Sequence, residues 1–397
     1  MSRDAGRQAD AVSRRKYLLT SAAIGTAGLA GCSGGNDGGG SDGSDGESDG
    51  SDGSDDGGDS TNSIDSGSSG PATVTAEGSS TVYPISNKGS SYWNSNSPAS
   101  DGEYWGANDE SSVAGWDQID TDQNIADYFA SLYGFEPTGE RSNPPFATRV
   151  ALSHSGTGCE AVRDGLVDIG NSSGPITAEL DISEEQRDEN YVDHVVGRDG
   201  QPVFVSQAIY DAGVEQLTGE QIRGIYQGDI TNWSEVGGPD QEIYVVGRAE
   251  GSGTDTSFRL NMLGDADAPM DVDTRLGQNQ QVQQVLQDND NAIGYMALAF
   301  SGSGIQAIAI DFEGTVFRPD PDAENTIFDS EYPLNRDLHM YTRITEDTPE
   351  GTDMREAAFL NMFLTDFGQQ TFVEDVNYIT LPTSDIEAER EKLPDQA

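Results

Sequence analysis

Three short stretches hold the side chains best suited to chemistry. Gly78-Ser79-Ser80-Thr81-Val82, Ser153-His154-Ser155-Gly156-Thr157-Gly158 and Gly251-Ser252-Gly253-Thr254 consist mostly of Gly, Ser and Thr. Each follows a short apolar run and precedes a helical pattern. The first N–H groups of a helix lack internal partners and carry partial positive charge, so they can hold an anion. Glycine lets the backbone approach closely, and hydroxyls add donors without net charge. Arg248, just ahead of the third stretch, can offer a bidentate fork to two oxygens. One such stretch alone is an ordinary strand–helix turn. Three of them, one beside an Arg, point to a bound oxyanion.

No catalytic constellation accompanies them. His154, His194 and His339 are far apart, and no metal-ligand spacing occurs. None of the three Lys residues (Lys16, Lys88, Lys392) follows a Gly, so there is no Walker A motif. Asp288-Asn289-Asp290-Asn291 starts like a calcium loop, but its sixth position is Ile293 rather than Gly. Gly46-Glu47-Ser48-Asp49-Gly50 fits the nucleophile-elbow pattern without the flanking strand and helix. Cys159 reads as a small packed residue. No catalytic residue, metal or cofactor is therefore expected. A secreted phosphatase using a loop Ser would lack a paired base.

The elements that must carry the three stretches alternate in type. Strands are expected at Ala72–Ala76, Thr148–Leu152, Val167–Gly170, Pro202–Tyr210, Ile243–Gly247, Ala292–Met296 and Leu338–Thr342. Helices are expected at Asp122–Tyr133, after Thr218 with Gln221 as a capping box, at Asp255–Met262, Val282–Gln287 and Met354–Phe367. This predicts an α/β fold with largely parallel sheets. Residues 89–118 have no clear period.

The 70 Asp+Glu against 21 Lys+Arg give a net charge of −49, which excludes a nucleic-acid binder. With so little Lys throughout, the acidity reads as a halophile surface. In molar salt the field of such a surface dies within about 3 Å, and neutral donors in contact decide anion affinity.

At the N-terminus, Arg14-Arg15-Lys16 precedes an uncharged run from Tyr17 to Ala30. As a helix that run reaches about 21 Å, short of the ~30 Å of a bilayer core. It reads as a twin-arginine export signal. Leu29-Ala30-Gly31-Cys32 resembles a lipobox, with Cys32 the lipidated residue. The following Gly/Ser/Asp tract reads as a disordered, self-repelling tether.

The segments Gly78–Pro84, Ser155–Gly158, Asp168–Ser173, Leu217–Gly238, Arg248–Thr254 and Ala292–Met296, in that order, resemble the phosphate-binding proteins of ABC importers. The resemblance implies a two-domain periplasmic-binding-protein-like (type II) fold, with a hinge and a ligand cleft between the domains. The implied division is 1–31 signal, 32–71 linker, 72–201 first part of domain I, 202–299 domain II, 300–385 second part of domain I, and 386–397 tail. Phosphate contacts carried over by the resemblance fall on Thr81, Val82 (through its N–H), Ser155, Ser173, Arg248, Ser252, Gly253 and Thr254.

Many family members have Asp where this chain has Ser173. That carboxylate accepts the proton of hydrogen phosphate and rejects sulfate. Glu250 is the candidate replacement here, with Asp168 a weaker one. The expected function is an extracytoplasmic lipoprotein, anchored to the outer face of the cell membrane through Cys32. It would bind inorganic phosphate as a monomer and deliver it to a membrane permease. Receptors for sulfate, arsenate or molybdate are the alternative in the same class.

Overall fold

The computed structural model describes residues 73–101, 119 and 121–397. The expected signal, Cys32 and the linker lie outside the described residues, as do residues 102–118 of the stretch without a period. The first four strands are β1 (Val74–Gly78), β2 (Thr148–Leu152), β3 (Ile169–Ser172) and β4 (Tyr191–Asp199). Next come β5 (Val203–Ser206), β6 (Gln216–Thr218), β7 (Tyr244–Arg248) and β8 (Thr274–Leu276). The last five are β9 (Ala292–Tyr295), β10 (Ile305–Ala307), β11 (Ala309–Phe312), β12 (Thr315–Phe317) and β13 (Arg336–Arg343). They pair in three sheets, ordered β2-β1-β3-β13-β4, β10-β5-β9-β7-β8 and β12-β11-β6.

The fold is α/β, but the sheets are mixed rather than largely parallel. β13 runs antiparallel to both β3 and β4, and β5 antiparallel to β9 and β10. The chain leaves the first sheet after Asp199 and returns to it at Arg336. The expected return near Phe300 comes too early, because β10 pairs with β5 and β11 with β6. Those strands are only three or four residues long, too short to show a period. Pro202–Tyr210 is a strand only to Ser206, after which Gln207–Asp211 turns helical. The helix begun at Met354 stops at Phe363, four residues short of expectation.

Strand direction places the loops. β1 is parallel to β2 and β3, so all three end at one edge of the first sheet. Their ends are Gly78, Leu152 and Ser172, each opening into a Ser-containing loop. β7 is parallel to β8 and β9, which gathers the ends of those strands in the same way. Ligands collect at such edges in open α/β sheets. An antiparallel strand delivers its first residue there instead, and β13 thereby brings in Arg336 beside Asp199 at the end of β4.

Local chemistry fixes the helices. Thr218 Oγ1 accepts from the Gln221 N–H at 3.1 Å, while Gln221 Oε1 accepts from the Thr218 N–H at 2.8 Å, completing the expected capping box. Pro84 occupies the first turn of the helix Tyr83–Ser95, where its missing N–H costs nothing. That helix is pinned by Trp93, which packs against Phe146 and Phe359 and donates its indole N–H to the Phe146 carbonyl at 2.7 Å. Cutting such a side chain to Ala costs about 3–5 kcal/mol.

Candidate anion-binding site

Every residue carried over as a contact is buried, and all converge on one cluster between the two five-stranded sheets. On the first sheet's side, Ser79 Oγ donates to Ser173 Oγ at 2.9 Å, and the Ser173 N–H donates to Ser155 Oγ at 3.1 Å. The N–H groups of Thr81 and Val82 point at Ser79 Oγ. From the second sheet, Thr254 Oγ1 lies 3.0 Å from Thr81 Oγ1, and the Gly251 carbonyl accepts from the Gly156 N–H at 3.1 Å. Ser252 is the N-cap of the helix Gly253–Phe258. A Cβ on Gly253 would stand 2.3 Å from Ser155 Oγ and 2.8 Å from the Gly174 nitrogen, so only glycine fits this approach.

Arg248 is fully buried at the end of β7. Its guanidinium donates to Asn279 Oδ1 at 2.6 Å, to the carbonyls of Gly277 and Leu276 at 2.7 and 3.1 Å, and to Ser80 Oγ at 3.3 Å. All four acceptors are neutral. Among the described residues no carboxylate forms an ion pair with it. Burial lowers its pKa to about 10; Arg336 pushes the same way, while Tyr295 and the Asp255 carboxylate, which does not touch it, push back. A buried charge without a counter-charge is costly, and a bound anion would supply one.

Arg336 was not anticipated. Its Nη1 and Nη2 reach Ser173 Oγ at 3.5 Å, Thr254 Oγ1 at 3.2 Å and Thr81 Oγ1 at 3.4 Å, three of the expected contact residues. Unlike Arg248 it is paired, with Asp199 Oδ2 at 2.6 Å. Asp199 Oδ1 accepts from the N–H groups of Leu298 and Gln201. One signal was available in the sequence. Arg336 alternates with Leu338 and Met340, both buried, so period two puts it on the core face, where a charge needs partners. Asn279 carried no such signal.

Neither expected proton acceptor is in place. Glu250 is solvent-exposed, while Arg248 is braced by Asn279 and two carbonyls. Asp168 is held by the N–H and hydroxyl of Thr75, both at 2.7 Å, in a structural role. Cys159 is buried, and burial pushes its thiol pKa up, away from the reactive thiolate. A groove of about 870 Å³ lined by Thr218, Arg223 and Phe312 contains none of the anion-loop residues.

Residues 118–366 match the family model described as a PBP superfamily domain. The phosphate-binding protein PstS of Bacillus subtilis is 31% identical over 254 residues, covering 63% of this chain and 75% of that protein. PstS of Pseudomonas aeruginosa is 27% identical over 277 residues, covering 66% and 81%. Two solved structures share the fold. A substrate-binding protein assigned to a phosphate ABC transporter in Clostridium perfringens, with phosphate bound, aligns at TM-score 0.55 and 20% identity, covering 78% of this chain and all of that one. An ABC-type phosphate transport receptor from Vibrio cholerae aligns at 0.51 and 21%, with the same coverage. The chain belongs to the PBP superfamily and, within it, to the family of the phosphate-binding proteins named PstS.

Proposed function

We propose that this protein captures inorganic phosphate outside the cytoplasm and hands it to the membrane permease of an ABC importer. One observation carries the reading. Arg248 is buried without a carboxylate partner, beside hydroxyls contributed by both sheets. A tetrahedral oxyanion matches that set in charge and in its capacity to accept several hydrogen bonds. Thr81, Val82, Ser155, Ser173, Arg248, Ser252, Gly253 and Thr254 form the shell, and Arg336, paired with Asp199, braces three of its hydroxyls.

The two five-stranded sheets with their helices act as two domains, hinged where the chain crosses at Gly200–Pro202 and just ahead of Arg336. Closure excludes water and completes the shell from both sides. No bond is made or broken, and the protein is a receptor rather than an enzyme. It works as a monomer held to the membrane by lipid on Cys32. Its relatives named for phosphate support this ligand over sulfate, arsenate or molybdate.

Equilibrium dialysis of the chain against radiolabelled phosphate in molar KCl tests the reading. One saturable site, displaced by unlabelled phosphate, is expected. Retention no greater than that of an unrelated acidic protein would end it.

A further inference from the structure

A site that prefers a protonated anion needs a free acceptor, and a carboxylate with an unused oxygen is the one that also repels an unprotonated anion. Ser173 supplies none. Asp199 is consumed by Arg336 and two N–H groups. Asp255 accepts from the Tyr295 hydroxyl at 2.5 Å and pairs with Arg259 and Arg275.

Glu179 is different. It ends the short helix Ile176–Glu179, which opens just after the Ser172-Ser173-Gly174-Pro175 loop. Its Oε1 is shut off from solvent and has no hydrogen-bond partner. The carboxyl lies among the anion loops. A Cβ on Gly174 would stand 2.7 Å from Oε1, and one on Gly156 would stand 3.3 Å from Oε2. The same Cβ on Gly174 would also stand 3.3 Å from the Gly253 Cα. Glycine at 174, the residue after Ser173, thus leaves the room that this carboxyl occupies.

We propose that Glu179 is the acceptor by which this site distinguishes a protonated tetrahedral anion, hydrogen phosphate, from an unprotonated one, sulfate. The inference rests on the oxyanion reading above and adds the selectivity group. Ionised Glu179 accepts the P–OH proton as a hydrogen bond. Sulfate has no proton at neutral pH, so its oxygens would face the carboxylate with like charge and no donor between them. Protonated Glu179 reverses this, because its own O–H can donate to sulfate.

Burial pushes the Glu179 carboxyl up to about 7. The Thr256 hydroxyl beside it lowers it, Asp255 on the same helix as Thr256 raises it, and Arg336 and His339 on β13 lower it. Cys159, on the helix Ser155–Arg163, also feels the Glu179 charge and is un-ionised. Selectivity should therefore be strong above pH about 7 and fade below it.

Calorimetric titration of the full chain with sodium phosphate and with sodium sulfate, from about pH 5.5 to about pH 8.5 in molar KCl, reads the ratio of the two affinities. For the wild type the ratio, with phosphate counted as the hydrogen phosphate present at each pH because the ion itself titrates in this range, should fall at least tenfold as pH drops through about 7. Glu179→Gln puts an N–H donor where the acceptor stood. It should raise sulfate affinity at the alkaline end at least tenfold and flatten the pH profile. The wild-type profile needs no substitution, so a poorly folding variant does not rescue the idea. Phosphate binding with a pH-independent ratio overturns the role of Glu179 alone. No phosphate binding by the wild type overturns the oxyanion reading with it.

Discussion

The two buried arginines of the cluster differ in one respect. Arg336 is neutralised by Asp199 at 2.6 Å, while Arg248 is held only by an amide oxygen, two carbonyls and a hydroxyl. A pair already complete within the protein gains little net charge attraction from a ligand. A guanidinium oriented by neutral acceptors keeps its full charge for one. On the proposed function, Arg248 is therefore the group we assign to affinity. Arg336 is the joint, touching both sheets from the strand by which the chain returns.

The largest effect that would sharpen this contrast is on stability. Arg336→Met leaves Asp199 buried and unpaired, which costs about 3–5 kcal/mol. Urea unfolding should show a clear loss of midpoint. Arg248→Met orphans only neutral acceptors, at about 1–3 kcal/mol. Equal losses from the two variants would erase the distinction.

In binding the order reverses. Arg248→Met should lower phosphate affinity about 100-fold, equivalent to about 2.7 kcal/mol, more than any single hydroxyl deletion. Gly253→Ala comes next. Its methyl would meet Ser155 Oγ at 2.3 Å, so the loops cannot close fully. Affinity should fall at least tenfold with the fold intact, as read by equilibrium dialysis beside a circular dichroism spectrum.

Ser173→Ala removes one neutral donor, worth about 1 kcal/mol or roughly fivefold. Cys159→Ala, at a buried thiol outside the cluster, should change affinity less than twofold. If Cys159→Ala weakened binding as much as Ser173→Ala, the cluster would be wrongly drawn.

Much of this was legible in the residues. The Gly/Ser/Thr loops announced themselves because helix starts and close backbone approach restrict the residue types allowed. Parallel strands then bring such loops to one edge almost automatically, as β1, β2 and β3 do. Long-range partners were not legible. Arg336 reaches Thr81 across 255 positions, and its arrival depends on β13 running antiparallel. The bracing of Arg248 by Asn279 depends on the turn after β8. The late return to the first sheet was hidden in strands of three and four residues, β10 to β12. Glu179 went unnoticed because nothing in a Thr-Ala-Glu run tells a solvated carboxylate from one wedged against two glycines.

The most direct measurement is isothermal titration of inorganic phosphate into the wild-type chain and into Arg248→Met, side by side in molar KCl. A single saturable site in the wild type, weakened about 100-fold in the variant, is the predicted result. Equal affinities in the two proteins, or no saturable heat in the wild type, would contradict the claim that a buried guanidinium without a carboxylate ion pair holds the anion.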